Sequence, residues 1–297
     1  MREYFTGTDR FSEAHELSRT EIMPDGSDCQ SGAMLSAYAL RGRKSPPSVG
    51  RWMLDSGAFT QVTKYGDFIQ SPAEYVRLAV RFQDAGKLAC IATQDYMCEP
   101  SVIAELQSQG RKASVRIHQD NTVKRYIDIM DEALKQGLKV PVMPVLQGWE
   151  VEDYWDHYMK YCNELSNRRY WRGKQWECPF LDRPHCHGHT GQLLNVGHWI
   201  GIGSTCKRNA NPEVVSQILD RLSGCINYEY YKVHLFGFKK TGLAQANIKD
   251  RIYSADSFAY DFADRMAGEI RTTRKRVKSA QRFGKSIIHN NVQTNLL

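Results

Sequence analysis

Eight short stretches of the chain are apolar and rich in β-branched residues, and each ends in polar or glycine positions. The clearest are residues 51–59 (RWMLDSGAF), 88–96 (LACIATQDY), 140–148 (VPVMPVLQG), 198–204 (HWIGIGS), 231–238 (YKVHLFGF) and 252–258 (IYSADSF); weaker ones at 2–7 and 32–40 precede them. Helical signals lie between them. Ser71-Pro72-Ala73-Glu74 reads as a capping box, in which the serine oxygen accepts from an early helical N–H and the glutamate returns the bond. Asn211-Pro212 repeats that start. Val123, Ile127, Met130 and Leu134 recur at three- and four-residue spacing, as do Val215, Ile218, Leu219 and Leu222, so each helix has one face to bury.

Strands buried on both faces and separated by amphipathic helices imply a parallel sheet. Eight such units predict an α/β fold, a TIM-like (β/α)8 barrel forming a single domain over residues 1–297, with a doubly wound open sheet as the alternative. Asp55, Asp95, Gln147, Ser204, His234 or Gly237, and Asp256 all fall near the carboxyl ends of different strands. In a barrel that rim is where catalytic groups converge. A polar loop accounts for one such aspartate; acids and an amide at four strand ends point to a site. Two regions break the repeat. Residues 160–197 read as an insertion, and 258–297 as a basic C-terminal helix and tail.

Composition narrows the class. Of 297 residues, 41% are hydrophobic and 25% charged, which excludes disorder, collagen and coiled coil. No apolar run approaches the ~18 residues that cross a bilayer, and the polar start MREYFTGTDRFSEAHEL lacks a signal-peptide core, so a cytoplasmic protein without membrane partners is expected. The formal charge of +7 favours polyanions, and the excess is concentrated. Between positions 265 and 285 stand Arg265, Arg271, Arg274, Lys275, Arg276, Lys278, Arg282 and Lys285 against one acid, Glu269. With Arg168, Arg169, Arg172 and Lys174 of the insertion, and Lys239 and Lys240, they are candidate phosphate contacts, while Tyr170, Trp171 and Trp176 would stack on unpaired bases. A solvated helix face is the alternative for the insertion. Cys178, Cys186, His187 and His189 offer thiolate and imidazole ligands for a structural zinc, with His185 or Cys206 as substitutes; an exposed His-rich loop with free thiols is the alternative.

Paired carboxylates are the tools of glycosyl transfer: one attacks the anomeric carbon and another handles the proton of the departing or arriving group. Asp55, Asp95 and Asp256 supply candidates. The small residues Ser56, Gly57 and Ala58 after Asp55 allow close approach of a planar ligand, and Phe59 offers a ring to stack on it. Gln147-Gly148 adds an amide and an unobstructed N–H. The set suits a purine.

At this point the residues carry a resemblance. Asp55-Ser56-Gly57-Ala58-Phe59, Asp95, Val145-Leu146-Gln147-Gly148, Gly201-Ile202-Gly203, His234-Leu235-Phe236-Gly237 and Ser254-Ala255-Asp256-Ser257 stand in the order and approximate spacing of the tRNA-guanine transglycosylase family, over roughly residues 50 to 260. The chain most resembles the DNA-guanine transglycosylase (DpdA-type) branch of phages and bacterial modification islands. The resemblance implies exchange of guanine in DNA for a free 7-deazaguanine such as preQ0, with Asp256 as nucleophile on C1′ and Asp55 as general acid/base. It also implies that Asp95 accepts from N1 and N2 of guanine, that Gln147 and the Gly148 N–H donate to O6, that Gly203 lies against the base and that Phe59 stacks. No nucleotide cofactor is needed, since one N-glycosidic bond replaces another. A duplex nucleotide has to be flipped out to be reached.

The chain departs from the tRNA enzymes. SFAYDFADR follows Asp256 in place of their Pro-Thr-Arg element, no cysteine follows Cys225 where they bind zinc, and Ala58 and Thr60 replace their usual Gly and Gln. tRNA is therefore the second substrate; a non-catalytic nucleic-acid-binding barrel and a hydrolytic purine glycosylase are further alternatives.

Overall fold

The computed structural model describes residues 1–8, 11–18, 20–22, 28–172, 198–208, 210–243, 246–258 and 272–289. Ten strands form one sheet: β1 (Glu3–Thr8), β2 (Thr20–Ile22), β3 (Asp28–Ser36), β4 (Arg51–Asp55), β5 (Lys87–Ala92), β6 (Val142–Met143), β7 (Val145–Leu146), β8 (Trp199–Ile202), β9 (Lys232–Leu235) and β10 (Ser254–Ser257). Their order is β6-β5-β4-β3-β1-β10-β9-β8-β7, with all pairings along that path parallel; β2 lies off it, antiparallel to β3.

The two ends of this path, β6 and β7, are separated only by Pro144. Proline brings no N–H to a ladder, so one stretch registers as two short strands. Its first half pairs with β5 and its second with β8, and the Pro144 carbonyl still accepts from Gly201 N at 2.8 Å. Counting that stretch once, eight parallel strands close the α/β barrel predicted from the sequence. The predicted strands map onto them in order, with one shift. The stretch at 32–40 starts earlier, at Asp28, and Ala37–Leu40 is helical. The polar Asp28-Cys29-Gln30-Ser31 carries no apolar signal, and Ala37 and Leu40 extended the run past its end.

Side-chain alternation divides the core. Phe5, Met34, Met53, Cys90, Ala92, Met143 and Trp199 form one buried cluster inside the ring, while Tyr4, Leu35, Trp52, Leu54 and Ile91 belong to a larger one between strands and helices. The Ser71 capping box forms at the start of Pro72–Phe82, with Glu74 N donating to Ser71 Oγ. Pro212–Leu222 buries Val215, Ile218, Leu219 and Leu222 completely. Leu134, by contrast, is 60% exposed at the end of Val115–Gln136 and leaves the stripe.

The expected insertion begins inside a regular element. Residues 160–172 continue the helix Val151–Arg172, whose Tyr161 and Cys162 are buried. The remainder, 173–197, lies outside the described residues. The basic C-terminal helix is present as Thr273–His289 and packs on Phe11–Leu17. Its Val277 and Ala280 are buried, and Arg276 forms an ion pair of 2.9 Å with Glu13, which is fully buried.

Candidate active site

Asp55 ends β4, and the chain must turn at once to enter the helix Ala58–Tyr65. Gly57 makes that turn at φ 75°, and its N–H returns to Asp55 Oδ2 at 2.9 Å. A Cβ there would also stand 2.7 Å from Ser36 Oγ. Next to it, Ser56 Oγ donates to Asp95 Oδ1 at 3.3 Å. Asp95 lies in the loop after β5 and is buried; its Oδ2 accepts a short bond from Gln147 Nε2.

Gln147 follows β7 and is tied down along its backbone. Its N–H donates to His157 Nδ1 at 2.7 Å, and its carbonyl accepts from Gln119 Nε2 at 2.9 Å. Burial holds His157 down at about 3, so that ring nitrogen stays available as an acceptor. Gly203 lies flush against the Gln147 amide, which any Cβ at 203 would strike. Gly148 has a different reason to be glycine: a Cβ there would stand 2.7 Å from that of Asp153, whose Oδ2 takes the N–H groups of Trp149 and Glu150.

Asp256 sits on β10 and is 4% exposed. Both of its contacts fall on one oxygen: Oδ1 accepts from Gly237 N at 2.8 Å and from His234 Nε2 at 3.2 Å. With its hydrogen on Nε2, His234 keeps Nδ1 to accept from Ser254 Oγ at 2.8 Å. Gly237 aims its N–H from a left-handed backbone, φ 65°.

Asp55 senses the other two carboxylates. Asp55 is pushed up to about 7, first by burial and then by the negative charges of Asp95 and Asp256. Asp95 is pushed up to about 6 by burial, opposed by its bonds from Gln147 and Ser56. One rim thus brings together Asp55, Ser56, Asp95, Gln147, Gly203 and Asp256. Phe59, the second residue of the helix Ala58–Tyr65, is 63% exposed.

The basic candidates divide. Arg274, Lys275, Lys278 and Lys239 are exposed. Arg276 is not available to phosphate: its side chain is 11% exposed and turned onto Glu13, because a buried carboxylate needs a cation. Arg168, Arg169 and Arg172 end the helix Val151–Arg172 and Lys240 begins Lys240–Leu243, but their side chains lie outside the described residues. Lys174, Arg271 and the zinc candidates Cys178, Cys186, His187 and His189 lie wholly outside them. Cys206 donates to Glu99 Oε1 at 3.6 Å, and among the described residues no group of three or more His, Cys, Asp or Glu could hold a metal.

Sequence reasoning gave no role to His234, Ser254, Ser204, Glu99 or His157. A signal existed for the first two. Ser254 and Asp256 are two apart on a strand and so share a face, and His234 stands opposite Ser254 on the neighbouring strand. Nothing in the sequence joins Ser204 to Glu99, 105 positions earlier, whose Oε2 it meets at 3.0 Å.

No helix among the described residues is long and apolar enough to cross a membrane. No curated protein matches the chain. Residues 35–166, which carry Asp55, Ser56, Asp95, Gln147 and Gly148 but not His234 or Asp256, match the model of the family described as DpdA, DeoxyPurine in DNA protein A, and this match supports the DpdA-type, DNA-modifying branch of the guanine transglycosylases.

Proposed function

We propose that the protein exchanges guanine in DNA for a free 7-deazaguanine through a covalent intermediate on Asp256. The observation that carries this is the convergence of Asp55, Asp95 and Asp256, three carboxylates from separate strand ends around one rim, close enough that the latter two raise the proton affinity of Asp55. Asp256 Oδ1 is engaged by Gly237 and His234, which leaves Oδ2 to attack C1′. As the C–O bond forms, the bond from C1′ to the guanine nitrogen breaks, and Asp55 gives its proton to the departing base. The incoming base returns a proton to Asp55 and displaces Asp256 from C1′. Bonds and protons balance over the cycle.

Asp95 meets the donor edge of guanine as an acceptor, and adenine would leave it unpaired. DNA is favoured over tRNA because the match is to a deoxypurine family and the Pro-Thr-Arg element is missing after Asp256. A structural zinc on Cys178, Cys186, His187 and His189 belongs to the same proposal; purified protein should carry it, and replacing any two of these ligands should remove it, as read by elemental analysis.

The decisive assay incubates the protein with labelled guanine or preQ0 and either DNA or tRNA, digests the polymer to nucleosides and identifies the inserted base by mass. Label in DNA supports the reading, label in tRNA alone redirects it, and abasic sites without label would show hydrolysis instead.

A further inference from the structure

The amide of Gln147 has the same shape in either orientation, so its direction is set by its partners. On one side lies Asp95 Oδ2, in a short bond; on the other lies Ser204 Oγ at 2.6 Å. Ser204 Oγ accepts the Cys98 N–H at 3.0 Å and has one hydrogen to give. Two oxygens compete for it, Gln147 Oε1 at 2.6 Å and Glu99 Oε2 at 3.0 Å, and the shorter contact goes to Gln147. We propose that Ser204 is a specificity-determining positioning residue, whose hydroxyl holds the Gln147 amide with its NH2 toward Asp95 so that Asp95 presents only acceptors to the base.

Reversing the amide would set its carbonyl against the Asp95 carboxylate, two acceptors in contact. Only a hydrogen on Asp95 relieves that clash, and that hydrogen, spent on the Gln147 carbonyl, would leave Asp95 a neutral acid and a weaker acceptor for the base. The direction of one buried amide therefore decides how strongly Asp95 accepts from the donor edge of guanine. The backbone supplies a second observation. Ser204 has φ 53° and is the one non-glycine residue with positive φ among those described. Glycine suits such a conformation better than serine, so the turn itself does not call for a hydroxyl. Gly203 beside it leaves the amide its room.

The inference rests on the guanine reading of the site, and the test separates the two. Ser204→Gly removes the hydroxyl while easing the backbone; its melting temperature should fall, since the Cys98 N–H and Glu99 Oε2 lose a buried partner, with the fold retained. Equilibrium dialysis with labelled guanine and labelled adenine should show the preference for guanine falling roughly tenfold in Ser204→Gly, the loss expected for one buried hydrogen bond, and retained in Glu99→Gln. A merely structural role would weaken both bases alike, and an unchanged preference in Ser204→Gly overturns the proposal. The NMR signals of the Gln147 side-chain NH2, identified by their disappearance in Gln147→Met, report on the amide without any ligand. They should form one resolved pair in the wild type and shift or average in Ser204→Gly; unaltered signals also overturn the proposal. Disturbed signals in a protein whose wild type binds neither base would sink the guanine reading and leave the positioning role standing.

Discussion

Asp55 shows how burial and neighbouring charge hold a proton on a single carboxyl group. Held up to about 7, it retains a proton up to neutrality, as the acid of the proposed exchange must. Exchange should therefore decline as pH rises above about 7, and Asp55→Asn should lower its rate by about a hundredfold or more and abolish that alkaline limb; a limb that persists in the variant belongs to another group. Stability follows the same proton. The folded chain keeps protons on Asp55 and Asp95 where the unfolded chain has released them, so their contribution is fully present below the unfolded pKa near 4 and is lost as pH rises through about 6 to 7. Melting curves between pH 4.5 and 8 should fall less steeply for Asp55→Asn than for the wild type. Asp256→Asn should retain DNA binding while losing both exchange and the covalent adduct, and turnover at the wild-type rate would remove Asp256 from the chemistry. The aspartates were legible in the sequence because their strands announced where they end. His157, Gln119 and Glu99 were not, because a helix residue or a loop acid reveals its partner only once folding brings distant segments together.

Among the elements, Val142–Leu146 and Thr273–His289 show where sequence pattern is strong and where it fails. The former reads as one strand and is one stave of the barrel, although Pro144 divides its ladder in two. The latter reads as a basic helix, and its charge alone suggested an arm devoted to phosphate. Packing gives it a second job, since Val277, Ala280 and the Arg276–Glu13 pair fasten it to Phe11–Leu17. Arg276→Met would strand the carboxylate of Glu13 without its cation, with a stability loss of about 3 kcal/mol. Thermal unfolding should register the drop, and the double variant Arg276→Met/Glu13→Leu should recover much of it. Equal stability of wild type and single variant would mean that the pair contributes nothing.

Over the whole molecule, the charge of +7 predicts a salt-sensitive hold on DNA. Arg274, Lys275 and Lys278 are exposed on the docked helix, and replacing all three with alanine should weaken binding to every sequence alike and flatten the slope of log affinity against log salt. A fluorescence titration at several salt concentrations measures this, and an unaltered slope would move the phosphate contacts elsewhere. The barrel itself was legible because eight repeats of one pattern reinforce each other; β2 was not, being three residues long and outside the βα period.

The ring is joined where β10 lies beside β1, with Asp256 level with Phe5. Asp55 and Asp95 stand at the ends of strands that assemble from the first half of the chain, whereas Asp256, the proposed nucleophile, arrives on the last stave. On the proposed reading, a chain cut short of residue 254 would keep its base-reading acids and lack the carboxylate that attacks the sugar, so an unfinished copy would have no means of breaking a glycosidic bond. Competence for the proposed exchange would thereby be tied to completion of the barrel.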